Sequence, residues 1–176
     1  MGQAESVVPS DPYVALAERA VRTYVTERRV IDPPADPPRE MLGAAGVFVS
    51  IKKHGALRGC IGTFFPSEPS VAVEIVANAI KSATSDPRFP PVGADELDDL
   101  TLSVDVLSEP ERCTEDDLDP DRFGVIVESG WRRGLLLPDL DGVDSAARQV
   151  DIARRKAGIG PNEPVELRRF TVERHV

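Results

Sequence analysis

Residues 46–63 restrict this chain more than any other stretch: they read GVFVSIKKHGALRGCIGT. The apolar run Val47, Phe48, Val49 is followed by Ser50 and Ile51, then by the polar corner Lys53-His54-Gly55. The chain returns through Leu57-Arg58-Gly59-Cys60-Ile61-Gly62. Apolar β-formers on both sides of a glycine-containing corner predict a β-hairpin. Continuous apolarity predicts a hairpin covered on both faces. The return strand nevertheless holds two glycines, a cysteine and an arginine. Glycine weakens a strand, so two of them mark a bulge or the close approach of another group. The arginine needs an anion or a route to water. Such local rule-breaking points to function.

A chain of 176 residues suits one domain with two lobes. No run of eighteen apolar residues exists, so no membrane span is expected. The start lacks a basic segment followed by an apolar one, which argues against a secretory signal. Met1-Gly2-Gln3-Ala4-Glu5-Ser6 matches a myristoylation pattern, but no basic cluster follows to supply a second anchor. The formal charge of −9 argues against nucleic-acid partners, because phosphate binding needs a basic face. Cys60 and Cys113 form no paired motif, so neither a disulfide framework nor a metal site is expected, and a reducing cytoplasm fits.

Residues 1–10 read as a loose tail, and residues 11–176 as the folded part. Asp11-Pro12 opens a helix to about Arg29, with Tyr13, Ala17, Ala20, Val21, Tyr24 and Val25 at helical spacing. A proline-rich link at residues 32–38 leads to the hairpin. A second helix starts at residues 67–70 and ends near Ser85, before Asp86-Pro87. LTLSVDVL, residues 100–107, reads as a strand with Leu102, Val104 and Val106 on one face. A second hairpin surrounds Ser129-Gly130-Trp131-Arg132-Arg133. Asp144 is expected to cap a third helix, which stops at Gly158, and residues 165–173 read as a last strand. No internal repeat is evident. The mixture without strict βαβ alternation predicts an α+β fold with a mixed, mainly antiparallel sheet and about three main flanking helices.

Several residues carry candidate chemistry. Positive charge beside a thiol favours the nucleophilic thiolate, and two residues apart on a strand Arg58 and Cys60 should share one face, roughly 7 Å apart. Cys60 is thus a candidate nucleophile. Neither histidine is expected near it: a corner at His54-Gly55 pairs Cys60 with Val49 and leaves His54 at the far end. The opposing reading is a small buried hydrophobe. Arg58 either binds an anion or pairs with a carboxylate, and Asp105, alone in an apolar strand pattern, is the expected partner. Gly59 and Gly62 either cradle an anion on exposed amides or mark a bulge or close packing. Residues 86–91 form a ligand rim with Arg88 as a second cation, or a stiff connector. The acidic residues 95–121 lack a calcium-loop pattern and read as solvated surface. Trp131 is either a contact anchor or folds back on its own hairpin.

The blocks Leu57-Arg58-Gly59-Cys60-Ile61-Gly62, Asp86-Pro87-Arg88-Phe89-Pro90, Gly134–Pro138 and Lys156-Ala157-Gly158 together resemble the AMMECR-type domain family, in order, over nearly the whole chain. Two positions depart from its pattern: Asp139-Leu140 after the third block, and Asp105 in the strand before Val106-Leu107. The resemblance implies a two-lobed α+β protein of the cytoplasm or nucleus, with the signature strand near a cleft. It implies no metal and names neither a cofactor nor a reaction. In prokaryotes it implies a place beside a Memo-like protein and a radical-SAM enzyme, as possible partners. Two readings follow. One is an enzyme component or binding protein for a small anionic ligand, with Cys60 as catalytic candidate and Arg58, Gly59, Gly62, Thr63, Asp86, Arg88 and Asp105 at the ligand. The other is a non-catalytic adaptor that meets a protein partner.

Overall fold

The computed structural model describes residues 10–176; the tail and the myristoylation pattern lie outside the described residues. The chain divides into two compact units, one of Met1–Val106 with Arg174–Val176, the other of Leu107–Glu173. The fold is α+β with three main helices, as expected, and its strands form two four-stranded sheets.

In the first unit, helix α1 (Pro12–Glu27) starts where Asp11 accepts the amides of Tyr13 and Val14. Strands β1 (Val47–Lys53) and β2 (Ala56–Thr63) form the expected hairpin. Its corner works because His54 and Gly55 both adopt positive φ, 50° and 80°, the requirement of a tight two-residue turn. Helix α2 (Val71–Thr84) is capped by the Ser70 hydroxyl. Strand β3 (Leu100–Leu107) then pairs antiparallel with β1. With β8 (Val172–His175) the sheet order is β2-β1-β3-β8. His175 of β8 stacks on Tyr13 at 3.7 Å and meets Asp11 Oδ2 at 2.9 Å, joining this strand to the start of α1. Alternation decides the faces: Val47, Val49, Ile51 and Val104 are fully buried with α1 and α2, whereas Phe48 and Ser50 are half-buried and Lys52 is exposed. The hairpin is thus fully buried on one face only, not on both.

The second unit holds β4 (Glu111–Cys113), β5 (Gly124–Ser129), β6 (Arg132–Leu136), α3 (Ala146–Lys156) and β7 (Glu166–Phe170), in sheet order β4-β7-β5-β6. Two local expectations change. Ser145, not Asp144, caps α3, its hydroxyl accepting the Arg148 amide. The last strand breaks at Thr171 into β7 and β8, which join different sheets.

The structure also reveals a repeat that the sequence reading missed. Each unit runs hairpin, helix, third strand, and the third strand pairs with the hairpin's first. In each, the helix crosses the return strand at a glycine. A Cβ on Gly59 would stand 2.1 Å from the Ser82 carbonyl oxygen of α2, and one on Gly134 would stand 1.9 Å from that of Ala153 on α3. In each, a helix amide donates to a carbonyl at the start of the hairpin: Asn78 to Val47 at 3.0 Å, Gln149 to Phe123 at 2.7 Å. In each, the helix-to-strand link carries one motif, Val92-Gly93-Ala94-Asp95-Glu96 or Ile159-Gly160-Pro161-Asn162-Glu163. Its glutamate accepts the glycine amide, at 3.0 and 2.8 Å, and binds a hairpin arginine, Arg58 or Arg132.

Candidate functional site

Strand β2 departs from its counterpart β6 by one residue. Lys52 faces Leu57 but Ile51 faces Gly59, so Arg58 is extra and the pair carries a β-bulge. The bulge shifts Cys60 from the expected partner Val49 to Ser50. It also separates Arg58 from Cys60, because one extra residue inverts the alternation. Arg58 turns toward the link after α2. It grips Glu96 with two bonds, Nε to Oε2 at 3.1 Å and Nη2 to Oε1 at 2.7 Å, and donates to the Pro90 and Pro91 carbonyls at 2.8 and 3.3 Å. Lys53 adds a third bond to Glu96 at 3.1 Å. Chiefly through Arg58, this carboxyl is held down to about 2. The expected Arg58–Asp105 contact is therefore replaced: Arg58 pairs with Glu96, and Asp105 pairs with Arg174 by two bonds of 2.8 and 2.9 Å.

The backbone of the signature strand is held by side chains. Cys60 N–H donates to Asp86 Oδ2 at 2.9 Å, and Ile61 N–H donates to Ser82 Oγ at 2.8 Å. An anion does lie against this strand, and it is the protein's own carboxylate. Asp86 is buried and clamped by Arg88, Nε to Oδ1 at 3.0 Å and Nη2 to Oδ2 at 2.7 Å. The Arg88 guanidinium, more than the Cys60 amide, keeps the Asp86 carboxyl well below the usual carboxylate range, against the opposing effect of burial. Residues 85–91, which include Asp86 and Arg88, lengthen the link after α2; in the second unit only Ala157 and Gly158 stand between α3 and Ile159. Gly62 has a different cause from Gly59: a Cβ there would enter the Phe48 ring at 2.2 Å. Thr63 donates to Glu74 at 2.5 Å. Burial is the largest influence on Glu74 and pushes its carboxyl up, but hydrogen bonds from Thr63, Ser67 and Glu68 outweigh it and leave the net shift downward. Glu74, Asn78 and Ser82 stand four residues apart on one stripe of α2, and all meet β1, β2 or the loop after it. Sequence reasoning missed them, although a polar stripe inside an apolar helix was visible.

The outer face of the first sheet carries the remaining chemistry. Register sets Cys60, Ser50 and Ser103 side by side across β2, β1 and β3, and the Ser50 hydroxyl donates to Cys60 Sγ at 3.3 Å. The equivalent row of the second unit is Leu135, Ile126 and Arg168. Beside Ser50 lies a cavity of about 590 Å³ lined by Val14, Glu18, Ser50, Lys52, Thr101, Leu102, Ser103, Arg174 and Val176. Its Arg174 is aimed by Asp105, which is 4% exposed. Of the expected site residues, then, Cys60, Gly62 and Asp105 lie on this face, Gly62 under the Phe48 ring; Arg58, Gly59, Thr63, Asp86 and Arg88 build and brace the strand behind or beside it. Ser50, Lys52 and Ser103 were legible only as polar positions alternating with buried ones. Arg174 gave no signal, since its partner lies far off in sequence.

Among the described residues, no group of three or more His, Cys, Asp or Glu could hold a metal ion, and no helix is long and apolar enough to cross a membrane.

These features define a protein built on a twice-used hairpin–helix–strand plan, with a polar face in its first unit. Residues 14–175 match the AMMECR1 family model, and the chain belongs to that family. It is 51% identical over 173 residues to a protein of Thermotoga maritima, covering 96% of this chain and 99% of that one. It is 48% identical over 167 residues to a protein of Clostridium acetobutylicum, covering 94% of this chain but only 36% of that longer one. The crystal structure of the uncharacterized protein PH0010 from Pyrococcus horikoshii has the same fold, with a TM-score of 0.82 and 35% identity, covering 92% of this chain and 88% of that one.

Proposed function

We propose that this protein binds a small anionic molecule on the outer face of its first sheet. The observation that carries the reading is the cavity, where Lys52 and Arg174 stand among the hydroxyls of Ser50, Thr101 and Ser103. Its volume of about 590 Å³ falls in the range of about 300–1,000 Å³ typical of small-molecule sites. A buried carboxylate spent on orienting an exposed guanidinium is what a preformed anion site needs. The second unit supports the reading: its row of Leu135, Ile126 and Arg168 builds the same sheet, so thiol and hydroxyls at Cys60, Ser50 and Ser103 are not required for folding. Asp105 thus acts through Arg174, while Asp86, Arg88, Gly59, Gly62 and Thr63 fix the signature strand, and Arg58 its link. Cys60, hydrogen-bonded to Ser50, is the candidate reactive group if the protein acts as an enzyme component. A cytoplasmic role beside a Memo-like or radical-SAM protein rests on the resemblance alone, and co-purification tests it.

Amide-resolved NMR titration with acetate and with inorganic phosphate tests the binding reading. Shifts should centre on Ser50, Lys52 and Ser103 and vanish in Lys52→Ala. Titrations that move none of them would refute it.

One observation favours an adaptor instead: Trp131, at the tip of the second hairpin, is 91% exposed. A tryptophan so placed fits a contact anchor. Pull-down of a partner that persists in Trp131→Ala would count against this reading.

A further inference from the structure

The same cavity also carries a negative wall. Glu18 lies on α1 and lines the cavity together with the strand residues Lys52 and Arg174. Neither Glu18 nor Lys52 makes an ion pair among the described residues. Opposite charges therefore face one cavity without neutralising each other. A smaller cavity of about 180 Å³ adjoins and shares Glu18 and Leu102; its own charges, Arg22 and Asp98, are paired at 2.8 Å. Glu18 is thus the acid left to meet a ligand. Val14, Leu102 and Val176 supply apolar wall to the same cavity.

Resting on the anion-binding reading, we infer that the ligand is zwitterionic, an amino acid or short peptide whose carboxylate meets Lys52 and Arg174 while its ammonium meets Glu18. A simple anion would leave Glu18 repelling it, because a like charge in a shared cavity opposes binding. A ligand whose ammonium meets Glu18 turns the same carboxylate into an attraction. The hydroxyls of Ser50, Thr101 and Ser103 can donate to or accept from either a carboxylate or a peptide group.

Calorimetric titration of the full chain with dialanine, N-acetyl-dialanine and dialanine amide tests this at low salt. Dialanine should bind about two- to fivefold tighter than either singly charged form, the range expected for one partly exposed charge pair. Glu18→Gln should erase the gap between dialanine and its acetylated form, and Lys52→Gln the gap between dialanine and its amide. Equal binding of dialanine and N-acetyl-dialanine, or a preference untouched by Glu18→Gln, would overturn the inference while leaving the anion site in place. Failure of all three together with acetate and phosphate would overturn both.

Discussion

Replacing Glu96 with glutamine probes the link that the repeat uses twice. In the native protein this carboxylate takes two bonds from Arg58, one from Lys53 and one from the Gly93 amide. Its side chain is 12% exposed, and that of Arg58 13%. Carrying the carboxyl from its ordinary 4.5 to about 2 corresponds to at most about 3.5 kcal/mol. Lys53 is a third exposed and therefore screened, so about 2 kcal/mol is the expected loss in Glu96→Gln near pH 7. The sign of the pH dependence follows from the depressed value. The stabilisation is complete above 4.5 and drains away as pH falls toward 2. Urea unfolding of both proteins from pH 7 to pH 3 checks this: the gap should be constant above pH 5 and narrow below it. A gap that stays the same down to pH 3, or one under about 0.5 kcal/mol at pH 7, would refute the charge-based account. Glu163→Gln is the internal control. Its side chain is 40% exposed, so its urea midpoint should move less.

Three further outcomes are expected. Gly59→Ala and Gly134→Ala should each cost about 2–3 kcal/mol, because a methyl meets a rigid helix carbonyl at both sites; thermal unfolding at unchanged cooperativity measures it, and a loss below about 0.5 kcal/mol at either would remove the crossing-point argument. Burial pushes the Cys113 thiol up from its ordinary value, so alkylation at pH 7.5, followed by mass spectrometry, should find Cys113 largely unmodified; rapid labelling there would contradict its placement. Trp131→Ala should leave the free energy of urea unfolding within about 0.5 kcal/mol of native, since the ring is almost wholly exposed.

Much of the fold was legible because local chemistry and tertiary structure agree. The Asp11-Pro12 start, the His54-Gly55 corner, the start of the second helix by residues 67–70 and the limits of the 100–107 strand all follow from residue type. The bulge at Arg58 was not legible as such. Two glycines announced a departure from regular pairing, but its register depends on where the α2 carbonyl of Ser82 presses on β2 at Gly59, and that is a contact between residues 23 positions apart. The slip of one residue was enough to send Arg58 to the face opposite Cys60 and to Glu96 instead of Asp105. Asp105 was rightly read as a carboxylate needing a cation, but its partner comes from β8, which the sequence reading had merged with β7. The repeat was hidden for a related reason. One extra residue in the first hairpin and a longer link after α2 break the spacing, and only the five-residue motif ending in Glu96 and Glu163 keeps it.

The two units differ in ways that separate frame from function. What both units share is what the plan requires: a glycine under the helix, an amide on the first strand's carbonyl, and a glutamate that ties the link to a hairpin arginine. What the first unit adds is the bulge, the lengthened link with Asp86 and Arg88, and the polar row of Cys60, Ser50 and Ser103. The additions converge. Asp86 holds the Cys60 amide, Arg88 reaches toward its carbonyl at 3.5 Å, and Ser50 bonds its sulfur. Three side chains from two elements, the link after α2 and β1, therefore fix one residue whose counterpart, Leu135, is served by ordinary burial. A strand needs no such bracing merely to fold. The bracing is explained if the position of that thiol, bonded to the Ser50 that lines a charged cavity, is the property under selection. Asp86→Asn then offers a direct check: it keeps the shape but weakens the clamp, so backbone order at Cys60 measured by amide exchange should fall while Leu135 is unaffected. Equal loosening of both strands would instead mean that Asp86 serves general stability.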